Sequence, residues 1–150
     1  MSTPDPSFVC QLCGGRPTAM VAAEWTLTIP NELPSQNQVA VNKGHGRHRY
    51  RAVRQAFNHA IAVTAKQQRI PNATSLRRVL VKRLWKKRQR AYDHGNLIGG
   101  AKSAIDTLVG CGLLLDDSPK WAELHYSQER DPTGVGCTII TIQELHDSVF

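Results

Sequence analysis

Apolar and polar positions along the chain fall into six periodic segments separated by breaks rich in Pro, Gly and Asn. In residues 23–29 (Ala-Glu-Trp-Thr-Leu-Thr-Ile), Trp25, Leu27 and Ile29 alternate with polar neighbours, the period-two pattern of a strand. Residues 30–46 hold Pro, Asn, Ser and Gly and predict a loop. From Arg49 to Gln68 there is no Pro or Gly, and Val53, Phe57, Ile61 and Ala65 recur every four residues. That spacing predicts an amphipathic helix with Arg47, Arg51 and Arg54 on its other face.

Pro71 and Asn72 break the pattern. Residues 76–87 then mix Val79, Val81, Leu84 and Trp85 with six cations, which predicts a strand with a charged exposed side. Residues 88–95 form a loop. Asn96 is suited to cap a helix whose stripe is Leu97, Ala101, Ile105, Leu108 and Gly112. Trp121 to Glu129 and Cys137 to Ile142 predict two strands joined as a hairpin through Asp131-Pro132-Thr133-Gly134. The order strand, helix, strand, helix, strand, strand predicts a small α/β or α+β fold, a mixed sheet with two main helices packed on it in two layers. Residues 1–20, rich in Pro, Gly and Thr, are expected to be a flexible extension to a single domain over 21–150.

Charge changes the picture. Residues 43–90 hold 15 of the 19 Lys and Arg and no Asp or Glu, and the whole chain carries +7 with a pI near 9.6. Such a balance favours a polyanionic partner, and nucleic acid is the commonest one. The bland alternative is a solvated basic face. Lys43, Arg47, Arg49, Arg51 and Arg54, and then Arg88 and Arg90, are the candidate phosphate contacts. His45, His48 and His59 belong to this basic region as surface or phosphate-adjacent residues, and Trp25, Trp85 and Trp121 are expected to serve the core. No apolar run approaches 18 residues and the first residues show no signal-peptide pattern, so no membrane span and a reducing cytoplasm are expected.

The four cysteines include Cys10-Gln-Leu-Cys13, half the ligand set of a structural zinc site. No second pair exists in the chain, so Zn²⁺ is expected only if the site closes across a dimer. Downstream of the basic run the sign reverses: Asp93, Asp106, Asp116 and Asp117 follow, with Lys102 among them. Asp93 and Asp117 flank a helix about 24 Å long at roughly 1.5 Å per residue, so they meet only if loops fold back toward one another. Lys102 and Asp106, four apart, can also pair structurally.

Pro34-Ser35-Gln36-Asn37, Asp93-His94-Gly95-Asn96-Leu97, Lys102-Ser103-Ala104-Ile105-Asp106-Thr107-Leu108 and Gly112-Leu113-Leu114-Leu115-Asp116-Asp117 together resemble the RusA family of Holliday-junction resolvases. That family has a Pro-x-x-Asn-like loop after its first strand, an Asp-x-Asp-Asn-Leu motif, a Lys-x-x-x-Asp-x-Leu helix and a closing Asp-Asp pair. The resemblance covers roughly residues 24–142 and is most specific over 93–117. It implies a homodimeric, Mg²⁺-dependent endodeoxyribonuclease acting on branched double-stranded DNA in recombination and repair. Asp93, Asp116 and Asp117 would then hold the metal, Asp93, Lys102 and Asp117 would carry catalysis, and Asn96 would assist at the DNA. The chain departs from the pattern at Gly95, where the family carries its second acidic residue. His94 next to it suits Mn²⁺ better than Mg²⁺. A basic DNA-binding protein that has lost the chemistry is the alternative, and a zinc-containing regulator built on Cys10 and Cys13 is a third.

Overall fold

Alternation, helical stripes and the breaks between them produce the elements near the expected places. The structure, a computed structural model, describes residues 20–35 and 45–146, the side chains of 45–50 excepted. The elements are β1 (Met20–Ile29), α1 (His45–Gln67), β2 (Arg77–Trp85), α2 (His94–Gly110), β3 (Ala122–Arg130) and β4 (Cys137–His146). The expected arm with Cys10 and Cys13 lies outside the described residues, as do Lys43 and Gln36-Asn37.

The four strands form one mixed sheet in the order β1-β4-β2-β3. β4 runs antiparallel to both β1 and β2, and β2 pairs parallel with β3. The register puts Leu27 and Ile29 beside Ile140 and Thr138, and Val79 and Val81 beside Ile142 and Ile140, all on one face. Both helices bury their stripes on that face. Phe57, Ile61 and Ala65 of α1 join Leu97, Ala101, Ala104, Ile105 and Leu108 of α2 in a single apolar core with those strand residues. The fold is therefore a two-layer α+β sandwich. Trp25 packs against the core as expected. Val53, the first member of the α1 stripe, is 43% exposed. Among the described residues no helix is long and apolar enough to cross a membrane.

Three expectations need correction. First, β3 and β4 are not a hairpin, because β2 lies between them. Val79 and Val81 on β2 are fully buried and gain strand partners on both sides this way. The connection 131–136 crosses about 10 Å, two strand spacings, over the end of β2. The Asp131 N–H donates to the Trp85 carbonyl at 3.0 Å, and the Lys87 N–H donates to the Gly134 carbonyl at 3.3 Å. The Asp131 carboxylate accepts from the Thr133 N–H, the Thr133 hydroxyl and the Gly136 N–H, and these bonds hold its pKa below the ordinary value. Gly134 and Gly136 take positive φ there, which an L side chain rarely adopts.

Second, Asn96 does not cap α2. The cap is Asp93, in extended backbone, and its carboxylate accepts from the Asn96 N–H. A carboxylate at this position also suits the positive end of the helix dipole. Third, the cations of β2 do not all lie on the exposed side expected for them. Arg77 and Arg83 share the buried face with Val79 and Val81, and both are 0% exposed. Arg77 pairs with Glu144 and donates to the Leu113 carbonyl, while its guanidinium lies 5.0 Å from the Trp25 ring centroid. On the opposite face Arg78 pairs with Glu123, and Lys82 pairs with Glu129 at 3.2 Å. The acid-free run acquires its carboxylates from β3, β4 and the loop after β1.

Candidate active site

The segment before α2 is fixed by a polar cluster around Arg83 at the carboxyl end of β2. Arg83 pairs with Glu32 of the loop after β1, donates to the Arg90 carbonyl at 3.0 Å and to Gln128 Oε1 at 3.2 Å. Its guanidinium lies 3.3 Å from the centroid of the Tyr92 ring. Tyr92 is tied on every side: its hydroxyl donates to the Leu33 carbonyl at 2.9 Å, and its N–H donates to Gln128 Oε1 at 2.9 Å. Its carbonyl in turn accepts from Gln128 Nε2 at 2.6 Å. A buried cation is tolerable only when so paired and bonded. The consequence is that the residue after Tyr92, which is Asp93, leaves a fixed point.

Asp93 Oδ1 accepts from the Asn96 N–H at 2.8 Å, and Oδ2 accepts from Asn96 Nδ2 at 2.7 Å. Asn96 therefore orients both oxygens of one carboxylate, which stays exposed with lone pairs to spare. An added Cβ at Gly95 would meet Asp93 Oδ1 at 3.6 Å, ordinary van der Waals contact. The loop after β1 reaches the same helix. A Cβ at Gly100 would lie 1.9 Å from the Pro34 carbonyl oxygen, so only glycine lets this loop rest on α2.

The second carboxylate pair arrives from the other end of α2. Leu113 and Leu114 turn back into the core, and Asp116 and Asp117 follow on the surface. The Asp116 carboxyl sits below its ordinary pKa because the Asp117 backbone N–H and the Ser118 hydroxyl bond to it. Burial raises the pKa of Tyr126, and the charge of Asp117 raises it further. Tyr126 and Gln128 lie two apart on β3 and point to the helix side, opposite Val81 and Arg83. The Asp93 segment is bound to Gln128, two residues along β3 from Tyr126, the phenol on which the charge of Asp117 acts.

Other expected site residues are placed as follows. Lys102 and Asp106 are exposed on α2, and no ion pair joins them. Ser103 beside Lys102 exchanges hydrogen bonds with Asn58, at 3.0 and 3.2 Å, and locks α1 to α2. Arg51 and Arg54 of α1 are exposed, as are Arg88 and Arg90. Arg47 and Arg49 lie in α1, but their side chains are outside the described residues. Among the described residues no three His, Cys, Asp or Glu side chains lie close enough together to hold a metal ion. A hard divalent ion nevertheless needs only one or two carboxylates beside substrate phosphate and water, and the exposed oxygens of Asp93, Asp116 and Asp117 are of that type.

The Arg83 cluster was missed in the sequence, although the signal was there. Strand alternation places Arg77 and Arg83 in phase with Val79 and Val81, hence on the buried face. No protein-family model and no curated protein matches the chain.

Proposed function

We propose that the chain is a divalent-metal-dependent endodeoxyribonuclease that cuts branched double-stranded DNA, four-way junctions foremost, as a homodimer. The observation that carries this reading is the oriented carboxylate of Asp93. It is held by Asn96 at the start of α2 on a segment anchored by Arg83, and the charge of Asp117 acts on Tyr126 of the strand that binds this segment. The resemblance of residues 93–117 to the RusA family supplies the substrate class.

In this reading Asp93 and Asp117, with Asp116, hold Mg²⁺ at the scissile phosphate, and Mn²⁺ is the alternative ion. When bound, the ion acidifies a water and offsets charge on the leaving 3′ oxygen. Lys102 donates to the charge that gathers on the phosphoryl oxygens in the transition state. Asn96 keeps the Asp93 oxygens in register for the incoming phosphate. Arg51, Arg54, Arg88 and Arg90, with Lys43, Arg47 and Arg49, contact the DNA backbone and position it without reading sequence. A two-fold dimer presents two such sites to the symmetric strands of a four-way junction.

Gly95 favours a second reading, a DNA-binding relative without chemistry, because it removes one carboxylate from the motif the chain resembles. Incubating an end-labelled four-way junction with Mg²⁺ separates the two. Nicking by the wild type, reduced at least about 100-fold (some 2.7 kcal/mol of barrier) in Asp117→Asn and Lys102→Ala, is the expected result. Binding without nicking by the wild type supports the second reading. Equal nicking by all three proteins removes the site assignment.

A further inference from the structure

A crevice of about 330 Å³ opens at Tyr92, the residue before Asp93, between the loop after β1, the first turns of α1 and the loop after β2. We propose that it receives the base of one unpaired nucleotide at the branch of the DNA, an inference that rests on the branched-DNA reading above. Its walls are mixed: Pro30, Pro34 and Val53 give apolar surface together with the Tyr92 ring, and polar groups cover the larger share. Gln89 and Asn31 place amides on it, which can both donate to and accept from a base edge. Lys86 supplies a cation. Apolar and aromatic side chains for the faces of a ring, with amides for its edge, are what a base taken out of the stack needs.

Charge decides which part of a nucleotide enters. Glu32 lines the crevice, and its ion pair with Arg83 uses up the charge of that guanidinium. The lining thus offers a phosphate Lys86 alone, next to the Glu32 carboxylate. The exposed cations lie to either side: Arg51 and Arg54 flank Val53 on α1, and Lys87 and Arg88 follow Lys86. A backbone held by those cations leaves the base as the group that fits inside. The wall is also preformed. Arg83 pins the Tyr92 ring and the Leu33 carbonyl fixes its hydroxyl, so binding a base orders little of the protein. Asp93 follows Tyr92 directly, so a nucleotide seated here is a chain neighbour of the phosphate presented to the carboxylates. Unpaired nucleotides at a branch leave the stack at lower cost than those inside a duplex.

The test is a binding cycle in EDTA, which needs no cleavage. Four-way junctions carrying an abasic site at each branch-flanking position in turn are titrated against wild type, Val53→Trp and Gln89→Trp. Both substitutions fill the crevice mouth from exposed positions on opposite sides, and circular dichroism checks that each variant folds. Wild type should lose on the order of 5- to 10-fold in affinity at one abasic position, the scale of a lost base contact. At least one folded variant should bind the intact and abasic junctions equally, and as weakly as wild type binds the abasic one. Equal losses in wild type and variants, or no loss in wild type at any position, overturn the base site while leaving junction binding intact. Failure of wild type to prefer the junction over linear duplex overturns the branched-DNA reading and this inference together.

Discussion

Gly95 and Gly100 sit five residues apart on α2 under opposite constraints. Gly100 has no room for a side chain because the Pro34 carbonyl lies where its Cβ would be. Gly100→Ala should therefore cost about 1–3 kcal/mol, as overpacking does, read as a lower urea midpoint at unchanged m-value. Gly95 has room, and its φ is not in the left-handed region. Gly95→Asp should leave stability nearly unchanged and increase the rate of junction nicking with Mg²⁺, by returning a carboxylate next to Asp93. An unaltered or lower rate in the folded variant would mean that this position takes no part in metal binding. The Gly99-Gly100 pair interrupts the helical pattern, but nothing in the neighbouring sequence names the Pro34 loop as the reason for Gly100. The cap was less legible: Asp93 and Asn96 are both good capping residues, and only the backbone geometry selects Asp93.

Strand β2 shows most clearly what a linear reading captures and what it loses. Its existence is implied by the apolar alternation of Val79, Val81 and Leu84, whereas its parallel pairing with β3 was not read. Its charges were misassigned, because partners 45 to 67 residues away are invisible to any local window. Arg83 illustrates the point: it ties Arg90 and Tyr92 to Glu32 and Gln128, which come from 51 and 45 residues away. Removing one partner of a buried pair strands the other, so Glu32→Ala should cost about 3–5 kcal/mol, measured by chemical denaturation. A cost below about 1 kcal/mol, the level of an exposed pair, would contradict this account of the cluster. The β3–β4 crossover makes a pH prediction. The bonds from Thr133 and Gly136 keep the folded-state pKa of Asp131 below its unfolded value. The stability it contributes is thus fully present above the ordinary carboxylate range and is lost as pH falls through the depressed folded value. Thermal melts from pH 7 to pH 2 should show a steeper acid decline in wild type than in Asp131→Asn, which melts lower at neutral pH.

For the whole molecule, the net charge of +7 stands, but the structure divides the cations that carry it. Arg77, Arg78, Lys82 and Arg83 are neutralised internally by Glu144, Glu123, Glu129 and Glu32. Arg51, Arg54 and the cluster Lys86, Lys87, Arg88 and Arg90 have no such acid among the ion pairs of the described residues. Replacing Arg88 or Arg90 by Ala should reduce the log–log salt slope of DNA binding by about 0.9 each, whereas Lys82→Ala should leave it unchanged. Of the candidate site, the motif spacing offered Asp93, Lys102, Asp116 and Asp117 as candidates. The placement of their loops was not legible, because it depends on Leu113 and Leu114 turning back into the core and on the Gln128 bonds to Tyr92. The central claim is that this scaffold cuts branched DNA with a divalent ion. The most direct measurement is single-turnover cleavage of a four-way junction and a matched linear duplex, with Mg²⁺ restored stepwise to EDTA-treated protein. Paired nicks near the branch that rise with Mg²⁺, with the duplex spared, are the predicted result. A folded protein that binds the junction and leaves it uncut at every concentration, or that cuts both substrates alike, would contradict it.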